Sequence, residues 1–362
     1  MRARVAAFVA IALLAVGPTG TAAATGAVAP GVVQFRITDA RLTELSGLAL
    51  GHRSPDVLYA QNDSGDSARF FALDRTSGRV RAVCTVPGAS NVDWEDLATG
   101  RDTDGVDSVW LADIGDNGRA RGEVRIYRVD EPAIGQAAEL ATNRPDVWRL
   151  RYPDGPHDAE SLVADPVRHR LYVVTKELLG HSEVFEVPAA PDPSRVRPMT
   201  RIGTVDFSFT GTPGGPNPIG QLTATGATSS ADGTELAIRT YTDAYLWRVS
   251  GGDVAAALRR RPVRVPLPPQ PQGEGIAFDG ADLLLDGEGV GTAVYRLPIP
   301  ALPASTAAPR SAASAATPTS AGQHPVSAGH RPAHRQKYWV ALLGGLGGAM
   351  ALAGVAIGRR RR

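Results

Sequence analysis

Lysine is nearly missing from this chain. Lys176 and Lys337 are the only two in 362 residues, and the other basic side chains are arginines. An isolated lysine within the folded part, Lys176, is therefore a position to follow. Cysteine is rarer still: Cys84 stands alone, which excludes an internal disulfide and leaves stability to packing or bound ions. It lies in the apolar stretch 80–86, where a thiol behaves as a small hydrophobe. No G-x-S-x-G, H-E-x-x-H or C-x-x-C occurs, so serine-hydrolase, zincin and thiol-redox chemistry lack sequence support. The net charge of +1 gives no preference for nucleic acid. Helical periodicity is also scarce, with 253–261 the one short helical candidate.

The long apolar runs sit at the two ends. Arg2 and Arg4 precede an unbroken apolar run, 5–16, which Gly17 and Pro18 interrupt before Ala22, Ala23 and Ala24. That layout predicts a secretory signal peptide over 1–24, since the run is short for a membrane span. Residues 338–358 carry no charge and are long enough to cross about 30 Å of hydrocarbon as a helix. Tyr338 and Trp339 stand at an interfacial belt position, and the basic stub 359–362 is expected to remain in the cytoplasm. Between them, 299–337 is rich in Ala, Ser, Thr and Pro and cannot bury a core. It predicts an extended, disordered stalk. The expectation is a single-pass protein of the cell membrane, partnered by that membrane through its C-terminal helix, with the domain 32–298 outside the cell.

Within 32–298 the pattern repeats. Five segments begin with a small or acidic residue and a short apolar stretch, at Ser46, Glu95, Glu160, Thr225 and Glu274. Each continues through a turn to a second strand (57–60, 109–112, 171–174, 235–238, 282–285) and then a third (69–73, 124–129, 183–187, 244–249, 293–297). Further strand-like pieces at 79–86, 147–152 and 263–267 supply a fourth. The starts are roughly 50 to 65 residues apart, within or a little above the range of propeller blades. A single all-β propeller of four-stranded blades follows. Five blades are visible, and 132–152 or 195–212 leaves room for a degenerate sixth. The segment 32–37 is free to pair into the last blade and close the ring. A β-sandwich is the competing reading, which repetition at this period disfavours.

A propeller's first strands line its central channel, so repeat-equivalent residues become neighbours. Glu95, Glu160 and Glu274 are equivalent, and Asp93, Asp96 and Asp158 lie close by in sequence. Carboxylates so close cannot all ionise without a counter-charge. The ends of two second strands add matched D-x-G-D loops, Asp63 to Asp66 and Asp113 to Asp116, with a looser echo at Asp286 to Glu288. Carboxylates on glycine-bent loops suit a hard cation such as Ca²⁺. Asp/Gly turns that merely cap backbone amides have the same sequence. In the same alignment Lys176 and Arg239 take the acidic positions of the third and fourth units, where two cations beside a metal would hold a phosphate or carboxylate. An internal ion pair of Lys176 with Glu160 or Glu177 is the alternative. His157, three residues before Glu160, would add a base or stay solvated.

The repeat, the acidic inner strands and the D-x-G-D loops resemble the phytase-like β-propellers, including the bacterial group described by an esterase-like activity of phytase. A looser similarity runs to lactonase and gluconolactonase propellers. The resemblance covers about 35–297. It implies calcium held by Glu95, Asp96, Glu160, Glu274, Asp113 and Asp116, with Lys176 and Arg239 toward a substrate phosphate. The D-x-G-D loop adds Asp63 to the metal candidates, and Glu160, Lys176 and Arg239 are the catalytic candidates. Two function classes follow: a surface binding or scaffold module for an unknown small molecule or partner, and a calcium-dependent hydrolase of phosphate esters or lactones. A channel that is plugged rather than open favours the first.

The anchor assignment has a direct check. Removing residues 336–362 is expected to release a folded domain into the soluble fraction; a truncated protein that still sediments with membranes contradicts it.

Overall fold

The computed structural model describes residues 31–303 except Ala137. The expected signal peptide, the membrane span, the basic stub and nearly all of the stalk lie outside those residues. Among the described residues no helix is long and apolar enough to cross a membrane.

The strands arise where β-branched and aromatic residues alternate with small ones between Gly, Asp and Pro turns. After β1 (Val32–Arg36), the first blade is β2 (Leu45–Leu50), β3 (Val57–Asn62), β4 (Arg69–Asp74) and β5 (Val80–Thr85). The second uses β6 (Trp94–Arg101), β7 (Asp107–Asp113), β8 (Val124–Asp130) and β10 (Asp146–Arg151), with β9 (Glu139–Ala141) in the connection. The third contains β11 (Ala159–Asp165), β12 (Arg170–Thr175), β13 (His181–Glu186) and β15 (Thr200–Asp206), with β14 (Asp192–Pro198) before the last of these. The fourth has β16 (Ala224–Ser229), β17 (Glu235–Thr240), β18 (Asp243–Arg248) and β19 (Val263–Pro266), and the fifth β20 (Gly273–Asp279), β21 (Asp282–Gly287) and β22 (Ala293–Pro298). Consecutive strands pair antiparallel within each blade, and β1 completes the fifth by pairing antiparallel with β22. The ring is closed by joining its two ends in one sheet, as the free N-terminal strand predicts.

The blades number five. The segments with room for a sixth instead widen existing blades: β9 pairs parallel with β5, and β14 parallel with β10. The short helix, α1 (Val254–Leu258), falls inside its expected range, with the Asp253 side chain accepting from the Ala256 amide as its cap. A single 3₁₀ turn over Pro218–Gln221, capped by Asn217, has no counterpart among the sequence expectations. It is too short to show a period.

Apolar side chains pack between neighbouring blades in five layers rather than one central core. Trp110, Trp148, Leu162 and Phe185 fill the layer between the second and third blades. Tyr59, Phe70, Trp94 and Tyr127 fill that between the first and second. Cys84 is buried in the latter layer, and burial pushes its thiol up to about 12, so it is inert. The inner strands β2, β6, β11, β16 and β20 form a ring, each against the next. Hydroxyls bridge them: Ser46 donates to the Glu95 carbonyl, Thr225 to the Gly273 carbonyl at 2.9 Å, and Ser229 to the Ala164 carbonyl.

The ring is tight enough to require glycine. A Cβ on Gly226 would lie 2.5 Å from the Glu274 carbonyl oxygen, and one on Gly47 2.6 Å from the Leu97 amide nitrogen. Overpacking of this kind costs about 1–3 kcal/mol. Gly226→Ala is expected to lower the melting temperature by several degrees, at roughly 2–4 °C per kcal/mol for a domain of this size. An unchanged melt would show that the waist can relax.

Candidate metal centre at the mouth of the channel

Every inner strand carries an irregularity at the same repeat position. The register against the second strand shifts between Leu45 and Leu48, Trp94 and Asp96, Ala159 and Ser161, Ala224 and Gly226, and Gly273 and Ile276. Such a bulge frees a residue from the ladder and re-aims its side chain. The residues involved are those that the repeat aligns: Ser46, Glu95, Glu160, Thr225 and Glu274. The three glutamates are only 3%, 5% and 3% exposed.

They do not all share one ligand sphere. Among the described residues, the mouth acids whose oxygens lie within 4.8 Å of one another are Asp63, Asp93 and Glu95. Asp63 follows β3 and is held against the second blade by the Asn91 amide, which donates to the Asp63 carbonyl at 2.8 Å. Asp93 and Glu95 flank Trp94 at the start of β6. Gly115 closes the far side, where a Cβ would collide with Glu95 Oε1 and Asp93 Oδ2. Glu95 Oε1 is buried with no hydrogen-bond partner.

Glu160 and Glu274 belong to the neighbouring part of the mouth. Lys176 donates to Glu160 Oε1 and, at 3.2 Å, to the Tyr241 hydroxyl. Its ammonium also lies over the Tyr241 ring, 5.4 Å from the centroid. Burial works against the Lys176 charge, but Glu160, Tyr241 and Glu274 outweigh it and hold its pKa above the ordinary value. The ion pair that the sequence left open is thus formed with Glu160, while Glu177 instead pairs with Arg119 at 2.6 Å.

Arg239 is fully buried and bonded throughout: to the Gly275 carbonyl at 2.8 Å, the Asp286 carbonyl at 3.1 Å, Gln270 Oε1 at 3.3 Å and the Thr240 carbonyl at 3.2 Å. It ties the fourth blade to the fifth, and burial lowers its pKa to about 10. Asp96 is likewise occupied. Its carboxylate accepts from the amides of Leu97 and Leu162, each at 2.8 Å, and Ala227 at 3.3 Å. The D-x-G-D loops divide in the same way. Asp116 caps the amides of Ala120 and Arg121, and Asp66 holds Asn62, Ser67 and Arg69. Asp113 pairs with Arg121 at 2.8 Å and accepts from the Asp93 amide at 3.2 Å, behind the cluster.

Asp93 belongs to the cluster, although the sequence reading placed it only near the ring. Its signal was present, since D-x-E recurs at Asp93–Glu95 and Asp158–Glu160 in adjacent units. Tyr241 had none, because its contact with Lys176 depends on the turn between β17 and β18. The electrostatics reflect an excess of acid. Burial, then the Asp63 charge, pushes Asp93 up to about 7. Burial, then Glu160, Asp63 and Asp93, pushes Glu95 well above the carboxylate range. Burial raises Asp286 to about 7 against the pull of Arg239.

The other end of the channel differs. A cavity of about 790 Å³ opens there, lined by Ala49, Ala98, Thr99, Thr228, Ala277 and Phe278. It contains none of the mouth acids. That cavity, which also meets Arg75, Asp232, Glu235, Arg248 and Asp279, and the carboxylate cluster are therefore at opposite ends, with Asp96 between them.

No protein-family model and no curated protein matches the chain. Solved structures do. One is a nidogen/laminin complex: 14% identity, 68% of this chain, 73% of the other and a TM-score of 0.39. A mitotic checkpoint complex matches at 13% identity, 70% and 63% coverage and a TM-score of 0.33. A glucose dehydrogenase matches at 12% identity, 72% and 84% coverage and a TM-score of 0.39. The fold and the acidic mouth together define a five-bladed propeller with groups able to hold a metal.

The raised carboxylates give a signed pH dependence. A group whose folded pKa of about 7 exceeds its unfolded value of about 3.9 stabilises the fold while protonated. That contribution is lost as pH rises through the folded value. In EDTA the melting temperature is expected to fall between about pH 4.5 and pH 7.5, the interval between the unfolded and folded values. A melting temperature that rises across this window contradicts the raised values.

Proposed function

We propose that the protein is a membrane-anchored propeller displayed outside the cell, which binds Ca²⁺ at the channel mouth and acts as a surface binding module. The observation that carries the metal is Glu95 Oε1, a buried oxygen without a partner inside the Asp63, Asp93 and Glu95 cluster. A divalent cation supplies the missing partner and the missing positive charge together. These residues fit a hard ion, which takes six to eight oxygens and completes its shell with carbonyls and water. Bound there, Ca²⁺ would lock the Asp63 loop of the first blade onto the start of β6.

The binding role is favoured over hydrolysis by the state of the other candidates. Arg239 spends its donors inside the protein, Lys176 is engaged by Glu160 and Tyr241, and the waist is closed by Asp96. The phytase-like or lactonase reading keeps one supporting feature, the Lys176–Glu160 pair beside the cluster, which would face a substrate phosphate or carbonyl. Fold does not choose between these classes. A phosphatase and lactonase panel, run with and without chelator, separates them; calcium-dependent turnover lost in Glu160→Gln would favour the enzyme.

A ligand that binds only the folded form stabilises it by about 2.7 kcal/mol at a hundredfold excess over Kd. Extracellular calcium sites bind at roughly 10⁻⁴ to 10⁻³ M, so millimolar Ca²⁺ is expected to raise the melting temperature by a few degrees over EDTA. Asp63→Asn and Glu95→Gln should shrink that shift. Asp206→Asn, in a surface pair with His181, should leave it intact. Superimposable melts in EDTA and Ca²⁺ would remove the metal.

A further inference from the structure

A second group of metal-capable side chains lies outside the channel mouth. Asp154 and His157 stand on the connection from β10 to β11, and Glu183 on β13. One ligand atom of each lies within 4.8 Å of the others. From sequence, His157 was a loop histidine with no assigned partner. In the structure its side chain is only 16% exposed and its ring is fixed by packing. It meets the Tyr152 ring edge-on, with centroids 4.9 Å apart, and lies tilted against Phe185 at 5.6 Å.

The two ring nitrogens have different surroundings. Nδ1 faces Glu177 Oε1 at 3.4 Å. Nε2 faces Asp154 Oδ1 at 3.0 Å and Glu183 Oε2 at 3.8 Å. Glu183 Oε2 is inaccessible to solvent and has no hydrogen-bond partner, while Oε1 of the same carboxylate holds Arg201 at 2.8 Å. A metal-binding histidine typically donates one ring N–H to an outer carboxylate, which fixes the tautomer and frees the other nitrogen for the ion. Glu177 stands in that outer position and is itself held by Arg119. Three carboxylates against two arginines leave one negative charge around the imidazole.

We propose that Asp154, His157 and Glu183 form a binding site for a divalent transition ion of the Zn²⁺ type, with Glu177 as a positioning residue. One imidazole and two carboxylates suit Zn²⁺ or Co²⁺ better than Ca²⁺, which prefers oxygen alone. Three protein ligands leave a fourth position for water or for a group on a partner. The site is separate from the mouth and does not depend on the calcium assignment.

Co²⁺ reports on such a site through its visible d–d absorption. Full-length protein, with millimolar Ca²⁺ present to occupy the mouth, is titrated with Co²⁺ after metal removal. One equivalent should develop the band, and Zn²⁺ should displace it. His157→Gln is expected to weaken Co²⁺ binding at least tenfold, and Glu177→Gln about tenfold with the band retained. Asp56→Asn, in a surface pair with Arg81 on the first blade, should change neither. Should His157→Gln fail to fold by circular dichroism, Asp154→Asn, on an exposed loop, is expected to show a tenfold loss in its place. The proposal is overturned if the wild-type protein develops no band, or if His157→Gln, or Asp154→Asn in its place, binds Co²⁺ unchanged. The cluster would then be a network of ion pairs and hydrogen bonds alone.

Discussion

The arrangement depends on a single carboxylate. Asp96 lies where the inner strands converge and accepts amide hydrogens from its own strand and from two other blades, at Leu97, Leu162 and Ala227. Burial pushes its pKa well above the ordinary value, opposed by those three amides. Such a group is costly to bury unless it is fully bonded, and here it is. Glycines at 47, 226 and 275 allow neighbouring inner strands to approach one another at this level. The same contact divides the channel: the mouth carboxylates collect on one side, and the other cavity, whose lining also carries Arg75, Asp232, Arg248 and Asp279, lies on the other.

Above that waist, the bulge repeated in all five blades turns one side chain per blade toward the mouth. Where the residue is Ser46 or Thr225, it bridges to the next blade's backbone. Where it is glutamate, the protein must balance a buried charge. Three answers occur around one ring. Glu160 takes Lys176. Burial, then Glu160, pushes Glu274 well above the carboxylate range, with Lys176 and Arg239 opposing. Among the described residues Glu95 has no cation bonded to it, and it sits with Asp63 and Asp93. The difference between the first and last of these directs attention to Glu95 as the place for an external ion.

Much of this was legible in the sequence because a propeller is periodic. The second and third strands fell close to their expected positions, such as 57–60 within Val57–Asn62 and 69–73 within Arg69–Asp74. The closing role of β1 followed from its being an unpaired strand. What the repeat could not convey was which acid is satisfied from within. Asp116 and Asp66 share a motif with Asp113 and Asp63, yet Asp116 caps the amides of Ala120 and Arg121, and Asp66 is taken up by Asn62, Ser67 and Arg69. Arg239 aligned with Lys176, yet its guanidinium turns into the space between two blades and meets three carbonyls. These outcomes depend on contacts between blades, which no single repeat encodes. The surplus of aligned carboxylates was visible from the start, but its focus on Asp93 required the geometry of the bulge.

The central claim is that the mouth carries a cation at Asp63, Asp93 and Glu95. Crystals grown in Ca²⁺, with diffraction data collected to reveal its anomalous scattering, test it most directly. The account predicts an anomalous peak within about 2.3–2.6 Å of oxygens from all three residues. A clean map with no peak there, and water or a shared proton between the carboxylates instead, would contradict it.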